Sequence, residues 1–322
     1  MLSQIEAGSI LLVADVPTSK SRAARLLVGD RMRPEDAIAR VRELADTAAN
    51  AQIDFSVWEP LEGSDAAAIT VPVDQELRGA GEEKQAQACL ARTPWSDAVI
   101  LDEDLYIEYL ARSHRIHFAA VRGAILDARE RQLEGLPVVQ SPLSHALVAL
   151  LDRAHPEVFM AKGPMTLAIL CLPRSLAAVV AARGELLLAT QFDLTQLILG
   201  EASSLREGQA APFNYRRQMP QTSAELETLV YHRVLESAFE HVRRILLEKG
   251  ENPEALRRVY FAGEAVATYE VADYLSEVHG PAMEIRPILA TKVCQMFANS
   301  EEEREQARDI VANEALYASA FA

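Results

Sequence analysis

MTLAILCLPRSLAAVVAARGELLLATQF, residues Met165 to Phe192, is the stretch that decides the fold. It contains three apolar runs, each long enough to form a buried β-strand. Pro173-Arg174-Ser175 separates the first run from the second, and Arg183-Gly184-Glu185 separates the second from the third. Because proline and glycine favour tight turns, the pattern predicts an antiparallel meander. Its three strands are expected at Met165–Leu172, Leu176–Ala182 and Leu186–Phe192.

The residues after the meander predict a long helix, followed by strands and helices in alternation. Thr222 and Glu225 have the spacing of a capping box, and an apolar stripe extends from there to Leu246. The acidic run Glu301-Glu302-Glu303 begins a final amphipathic helix. The elements expected between these helices are a strand at Val259–Ala262, a turn at Gly263-Glu264, a helix at Tyr269–Val278 and a strand at Met283–Arg286.

The first half of the chain opens in a similar way. A strand at Ser9–Val16 breaks at a turn-forming run and continues from Arg22 to Val28, which predicts a β-hairpin. Residues 84 to 152 then alternate between helix and strand, as in an α/β layer. Small and turn-forming residues from His155 to Pro164 separate the two halves. We therefore predict two lobes, residues 1–160 and 161–300, with residues 301–322 as a helix that packs back on the body.

Composition limits the partners of this protein. The 322 residues carry 32 Lys and Arg against 47 Asp and Glu, a net charge of -15 that disfavours nucleic acid and anionic membrane. The cysteines, Cys89, Cys171 and Cys294, are too far apart in sequence to indicate a disulfide framework or a zinc ribbon. We find neither a signal peptide nor a membrane-spanning stretch in the sequence, and we therefore expect a cytoplasmic protein.

Three segments resemble the motifs of a known superfamily: Leu11–Lys20, Ala120–Val139 and Arg258–Ala265. They are similar to the first phosphate loop, the strand-helix-turn-strand unit and the adenosine segment of the actin-like proteins. The resemblance extends over nearly the whole chain and implies a two-lobed α/β fold of actin-like (ribonuclease H-like) architecture, with mixed sheets flanked by helices. The order of parts is most similar to the cytoplasmic actin-like proteins of type IV pilus assembly (the PilM family) and to the cytoplasmic region of GspL of type II secretion.

The resemblance implies a nucleotide site, but the sequence departs from the family pattern at three corners of that site. Pro17 stands where the first phosphate loop needs a glycine, and it has no N–H to donate to a phosphate. Cys171-Leu172-Pro173 replaces Asp-x-Gly in the second loop, and a cysteine is a poor ligand for magnesium. Glu264 replaces the second adenosine glycine and adds a negative charge. The residues of this vestigial site are Asp15, Thr18, Ser19, Lys20, Arg174, Ser175, Gly263 and Glu264.

Other side chains give weaker signals for chemistry. His114 and His117 have no third metal ligand nearby in sequence, so we predict no metal site. Ser144 and His145 lack a G-x-S-x-G elbow, and we predict no catalytic residue. Asp15 is read either as an acid of the nucleotide site or as a turn carboxylate that caps the hairpin.

A polar stretch from Gly200 to Gln221 is the candidate partner surface. It combines aromatic residues, a methionine and arginines, which are enriched at protein interfaces. The alternative is an ordinary packing loop whose aromatic side chains point inward. The terminal helix has two readings as well, docking on its own fold or forming a homodimer. The candidate residues of the polar stretch are Phe213, Tyr215, Arg216, Arg217 and Met219.

The sequence favours a non-catalytic, actin-like adaptor or scaffold in the cytoplasm, peripheral to the inner membrane through a protein partner. The resemblance implies a peptide groove in the first lobe, and the partner would be a cytoplasmic tail of an inner-membrane assembly protein. We expect no cofactor. One alternative is an active ATPase or small kinase that binds ATP and magnesium, with Asp193 or Asp102 replacing the lost aspartate. Another is a structural homo-oligomer.

Overall fold

The computed structural model describes residues 10–17, 23–47, 53–61, 66–72, 82–93, 95–101, 115–173, 175–194, 198, 222–263, 265–279 and 283–288. The strands are β1 (Ile10–Pro17), β2 (Ala23–Met32), β3 (Asp54–Leu61), β4 (Ala66–Pro72), β5 (Ala98–Leu101), β6 (Arg115–Arg122), β7 (Val138–Pro142), β8 (Met165–Cys171), β9 (Ser175–Ala182), β10 (Glu185–Asp193), β11 (Leu256–Ala262) and β12 (Glu284–Pro287). The helices are α1 (Pro34–Thr47), α2 (Glu82–Leu90), α3 (Gly123–Gln132), α4 (Leu143–Ala154), α5 (Ser223–Glu248), α6 (Ala265–Thr268) and α7 (Val271–His279).

The second sheet has the strand order β10-β9-β8-β11-β12. Strands β8, β9 and β10 form the predicted antiparallel meander, while β11 lies parallel to both β8 and β12. All residues of β8 and β9 are buried, since helices cover both faces of this sheet. The prediction of a meander of long apolar strands is therefore confirmed.

The alternation of side chains along β9 divides the interior into two hydrophobic clusters. Ala177, Val179 and Ala181 belong to the cluster that contains α4. The intervening side chains face α5 and α7 on the opposite side of the sheet. Helix α5 begins with the predicted capping box, in which Thr222 accepts a hydrogen bond from the Glu225 amide and Glu225 binds the Thr222 amide in return.

The first sheet has the order β2-β1-β3-β7, and a small antiparallel sheet has the order β4-β6-β5. Strands β1 and β2 form the predicted hairpin. Strand β3 pairs antiparallel with β1 on one side and parallel with β7 on the other. The two larger sheets thus share one spatial plan, an antiparallel part joined to a parallel part of two strands in the first sheet and three in the second, although their strands follow in a different chain order.

Helix α4 connects the two larger sheets. It starts directly after β7 of the first sheet and packs against β8, β9 and β10 of the second. Its leucines share one buried cluster with Val13 of β1 and Tyr260 of β11. The predicted lobe boundary at residue 160 thus follows a helix that contacts both larger sheets, and the division into lobes stays a prediction. The predicted terminal helix, residues 301–322, lies outside the described residues.

Candidate functional site at the carboxyl ends of two parallel strands

The carboxyl ends of β8 and β11 lie side by side in the second sheet. Leu170 is paired with Ala262, so that Cys171 and Gly263 are the next residues on the two strands. Ligands in α/β folds bind outside the carboxyl ends of parallel strands. The sheet therefore brings together the predicted second loop, through Ser175, and the predicted adenosine segment, through Gly263.

Gly263 has no space for a side chain on the face that packs against Cys171. Its φ of +109° lies in a region that L side chains rarely adopt, and a Cβ placed there would be 2.2 Å from the Cys171 carbonyl oxygen. The glycine is thus required because two backbone segments of this chain pack on each other. The sequence singles out this glycine as a residue of the nucleotide site; the structure gives a packing reason for the glycine, and its role toward a nucleotide stays a prediction.

The turn between β8 and β9 uses its polar groups internally. The Leu172 amide donates a hydrogen bond to the Ser175 carbonyl, at 2.9 Å, and Pro173 has no amide hydrogen. Burial raises the pKa of the Cys171 thiol to about 12, against an opposing hydrogen bond with Tyr231. This thiol stays protonated at neutral pH and is no ligand for magnesium.

Asp193 is the carboxylate that the structure places beside this turn. It is paired with Ser175 across β9 and β10, and it is exposed. Asp102, the other acidic candidate, lies outside the described residues, as do Arg174 and Glu264. One of the two proposed replacements for the missing aspartate is therefore at the same edge of the sheet as Ser175.

Asp15 lies at the opposite end of the first sheet from the carboxyl ends of its parallel pair. It is partly buried and pairs with Asp54 at the start of β3, whereas β3 and β7 end at Leu61 and Pro142. The seven-residue offset along β3 corresponds to about 23 Å at the usual rise of a strand. Thr18, Ser19 and Lys20 lie outside the described residues, so the role of the first loop stays a prediction.

The first turn of α4 holds two further polar side chains. Ser144 is fully buried, and its Oγ has no hydrogen-bond partner among the residues that the structure describes. His145 follows it, and burial lowers the pKa of its imidazole to about 4, so the ring is neutral at pH 7. The segment after α4 meets the turn between β9 and β10, where Gly184 approaches Ala161. The carboxyl end of α4 is therefore near the β9–β10 turn, and its first turn lies towards the opposite end of β9, where β8 ends.

The residues described at this edge supply few of the groups that a magnesium nucleotide needs. Phosphate binding needs free backbone amides and glycines that allow close approach, and magnesium needs oxygen ligands. Here the Leu172 amide is already bonded, one face of Gly263 packs on Cys171, and Asp193 places one carboxylate beside the turn.

Tyr231 contributes to this edge although the sequence did not single it out. Its hydroxyl donates a hydrogen bond to the Leu172 carbonyl at 2.9 Å, and its ring is buried. The available signal was the Tyr231-His232 pair within the apolar face of a long amphipathic helix. Two aromatic side chains with polar tips at such positions need buried partners.

A second candidate site is a surface depression of about 270 Å³ in the first half of the chain. It lies between α3 and the segment that leads into β7. None of the α3 side chains is fully buried, so this helix keeps partly open apolar groups. The depression is lined by Leu126, Arg129, Glu130, Gly135, Leu136, Pro137 and Val138.

Several predicted features cannot be placed. Phe213, Tyr215, Arg216, Arg217 and Met219 all lie outside the described residues.

In the described ranges, no three His, Cys, Asp or Glu side chains are grouped closely enough to hold a metal ion. None of the described helices is both long enough and apolar enough to cross a membrane.

No protein-family model and no curated protein sequence matches this chain. Among solved structures, a PilM-PilN type IV pilus biogenesis complex is similar, with 16% identity, a TM-score of 0.56, and coverage of 98% of this chain and 94% of that chain. A Bacteroides thetaiotaomicron protein with an actin-like ATPase fold and unknown function has 10% identity, a TM-score of 0.42 and coverage of 88% and 86%. The cytoplasmic domain of EpsL, an inner-membrane component of the Vibrio cholerae type II secretion system, has 16% identity, a TM-score of 0.30 and coverage of 71% and 90%.

The similarity to the pilus complex concerns the fold, and at this identity the fold alone. It extends over almost the full length of both chains. The predicted fold class is confirmed: this chain is an α/β protein of actin-like architecture that resembles PilM.

Proposed function

We propose that this protein is a non-catalytic, actin-like adaptor that binds a peptide of a protein partner in a pilus or secretion type of membrane assembly. The fold is similar to that of a complex formed by PilM with PilN. The observation that carries the proposal is the close packing of Gly263 on the Cys171 backbone, at the edge where the predicted adenosine segment and second loop meet. The protein would act in the cytoplasm and reach the inner membrane through its partner.

The depression between α3 and β7 is the proposed peptide site. Its apolar floor consists of Leu126, Leu136 and Val138, all partly buried, and Arg129 and Glu130 add polar groups. A short peptide with one or two apolar side chains matches this combination, because apolar contacts provide affinity and polar groups fix orientation. A groove of this size holds a few residues and is suited to a tail segment.

The partner proposal is tested by screening immobilised peptides from the cytoplasmic tails of inner-membrane proteins of the source organism. Leu126→Asp places a charge in the depression and should abolish binding of any peptide that the wild type retains. Leu247→Asp is the matched control, since Leu247 is 62% exposed on α5. If both variants keep the peptide, the depression is not the site; if both lose it, the effect is not local.

Nucleotide independence is tested by calorimetric titration of the full chain with ATP and magnesium. We expect no saturable heat at millimolar nucleotide. Light scattering of the same samples gives the oligomeric state, and a stable oligomer without any retained peptide would favour the homo-oligomer alternative.

Asp193 favours one rival function, a nucleotide-dependent enzyme of the same superfamily. Its carboxylate lies beside Ser175 at the edge where the second loop would act. Saturable ATP binding that is lost in Asp193→Asn and kept in Asp152→Asn, an exposed residue of α4, would establish that function and overturn the adaptor proposal.

A further inference from the structure

Four aromatic rings form two stacked pairs where α5 meets α6 and α7. The Tyr231 and Tyr269 rings lie 4.3 Å apart with an interplanar angle of 16°. The His232 and Tyr274 rings also lie 4.3 Å apart, with an angle of 18°. All four side chains are buried, so that these contacts are shielded from water.

The same two residues of α5 hold backbone groups on different segments. The Tyr231 hydroxyl bonds the Leu172 carbonyl in the turn after β8. A 2.6 Å hydrogen bond joins His232 Nε2 to the Tyr269 carbonyl, so that this nitrogen carries the proton. One helical turn therefore fixes both the β8–β9 turn and the junction between α6 and α7.

That junction is a strained part of the backbone. Glu270 has a φ of +49°, which is uncommon for a residue other than glycine, and it separates the two short helices. The sequence predicts one helix at Tyr269–Val278, and the break at Glu270 is where the structure differs. Such a conformation persists only where its surroundings hold it, and here the Tyr269 carbonyl and ring are held by His232 and Tyr231.

We propose that Tyr231 is an internal tie that closes the carboxyl edge of β8 and β11 in place of a bound ligand. Its hydroxyl holds the turn after β8, and its ring holds the segment after β11, so both sides of the candidate nucleotide edge are joined through one side chain. This inference rests on the proposed nucleotide-independent function. It assigns Tyr231 as a positioning residue and predicts that the edge is ordered without any added ligand.

Hydrogen exchange of the full-length protein, measured by mass spectrometry, tests the tie. Tyr231→Phe keeps the stacked ring and removes the hydroxyl. Peptides that cover residues 171–177 should then exchange roughly tenfold faster, as expected when a buried carbonyl loses its donor. Tyr260→Phe is the matched control, because Tyr260 is a buried tyrosine of β11 whose hydroxyl is 3.5 Å from Glu157 and does not reach Leu172. It should leave residues 171–177 unchanged.

A second measurement uses the cavity that Tyr231→Ala should create. We expect phenol to raise the melting temperature of this variant, and benzene, which has the ring but no hydroxyl, to raise it less. Unchanged exchange at residues 171–177 in Tyr231→Phe, or equal changes in Tyr231→Phe and Tyr260→Phe, would overturn the tie. If millimolar ATP and magnesium slow exchange there in the wild type, the proposed function fails instead, whatever the variants do.

Discussion

Gly263 is required both by its backbone conformation and by its packing against a distant segment of the chain. Its positive φ excludes most side chains, and the Cys171 carbonyl excludes even a methyl group. Gly250, which follows α5, has a φ of +75° and no neighbouring atom within 4 Å of an added Cβ. The two glycines therefore separate the cost of a left-handed backbone from the cost of a steric clash.

Gly263→Ala should destabilise the protein more than Gly250→Ala. The left-handed conformation costs about 1–2 kcal/mol for either alanine. Overpacking against Cys171 adds about 1–3 kcal/mol at Gly263 alone. Urea unfolding of both variants measures the difference, and equal free energies of unfolding would contradict the close packing of β8 on β11.

His145 should make stability depend on pH in the acidic range. Burial lowers the pKa of the folded-state imidazole from 6.5 to about 4, so the unfolded chain binds a proton at a higher pH than the folded chain does. The contribution of a neutral His145 is complete above pH 6.5 and is lost progressively as the pH falls to about 4.

His145→Gln should flatten this part of the profile when the free energy of unfolding is measured between pH 7 and pH 4. Gln87→Ala, at an exposed position of α2 that carries no titratable side chain, is a control that should keep the wild-type slope. The explanation is wrong if the two profiles change alike.

Among the elements, α5 shows what short-range sequence signals can predict. Thr222 and Glu225 were identified by spacing alone, and the structure contains both hydrogen bonds of the capping box. The meander was predictable for the same reason, since its turns and apolar runs are signals between residues that are close in sequence. Local rules sufficed in both cases because the interacting groups are neighbours in sequence.

Thr222→Ala should destabilise α5 by about 1 kcal/mol, because the Glu225 amide loses its acceptor. Ser223→Ala provides the comparison, as Ser223 is the first helical residue and is not the cap. Thermal unfolding followed by circular dichroism should show a lower midpoint for Thr222→Ala alone. Equal midpoints would mean that the tertiary contacts of α5 make the cap dispensable.

The arrangement of the first sheet was not predictable from the same signals. Val57 of β3 pairs with Val138 of β7 across a long intervening segment, and Asp15 of β1 pairs with the start of β3. Nothing in the local pattern of β1 specifies which strand becomes its second neighbour. For the same reason the sequence indicated Gly263 and Ser175 separately, while the contacts of Cys171 and Tyr231 that define the site required the fold.

At the scale of the whole molecule, α4 packs across the lobe boundary that the sequence predicts. The helix precedes the predicted boundary at residue 160, yet it covers one face of the second sheet. Leu143, Leu147, Leu150 and Leu151 are fully or almost fully buried in that contact. Each contributes roughly 1.5–3 kcal/mol, so their sum is comparable with the roughly 5–15 kcal/mol stability of a typical protein.

A fragment of residues 141–322 should therefore unfold cooperatively, whereas a fragment of residues 161–322 should not. The shorter fragment exposes the apolar face of β9 that α4 covers. Urea unfolding monitored by far-UV circular dichroism compares the two fragments directly. Identical transitions would mean that the second sheet is stable without α4 and that the boundary at residue 160 is also a boundary of packing.

The hydrogen bond between Tyr231 and the Leu172 carbonyl also bears on cell physiology. The occupancy of a metabolite site depends on the metabolite concentration relative to its dissociation constant, so a protein closed by a nucleotide can respond to the energy charge of the cell. A tyrosine is present once per chain from the moment of synthesis, and its occupancy does not change with starvation or growth. Closed in this way, the carboxyl edge of the second sheet would have the same conformation in a growing and in a resting cell.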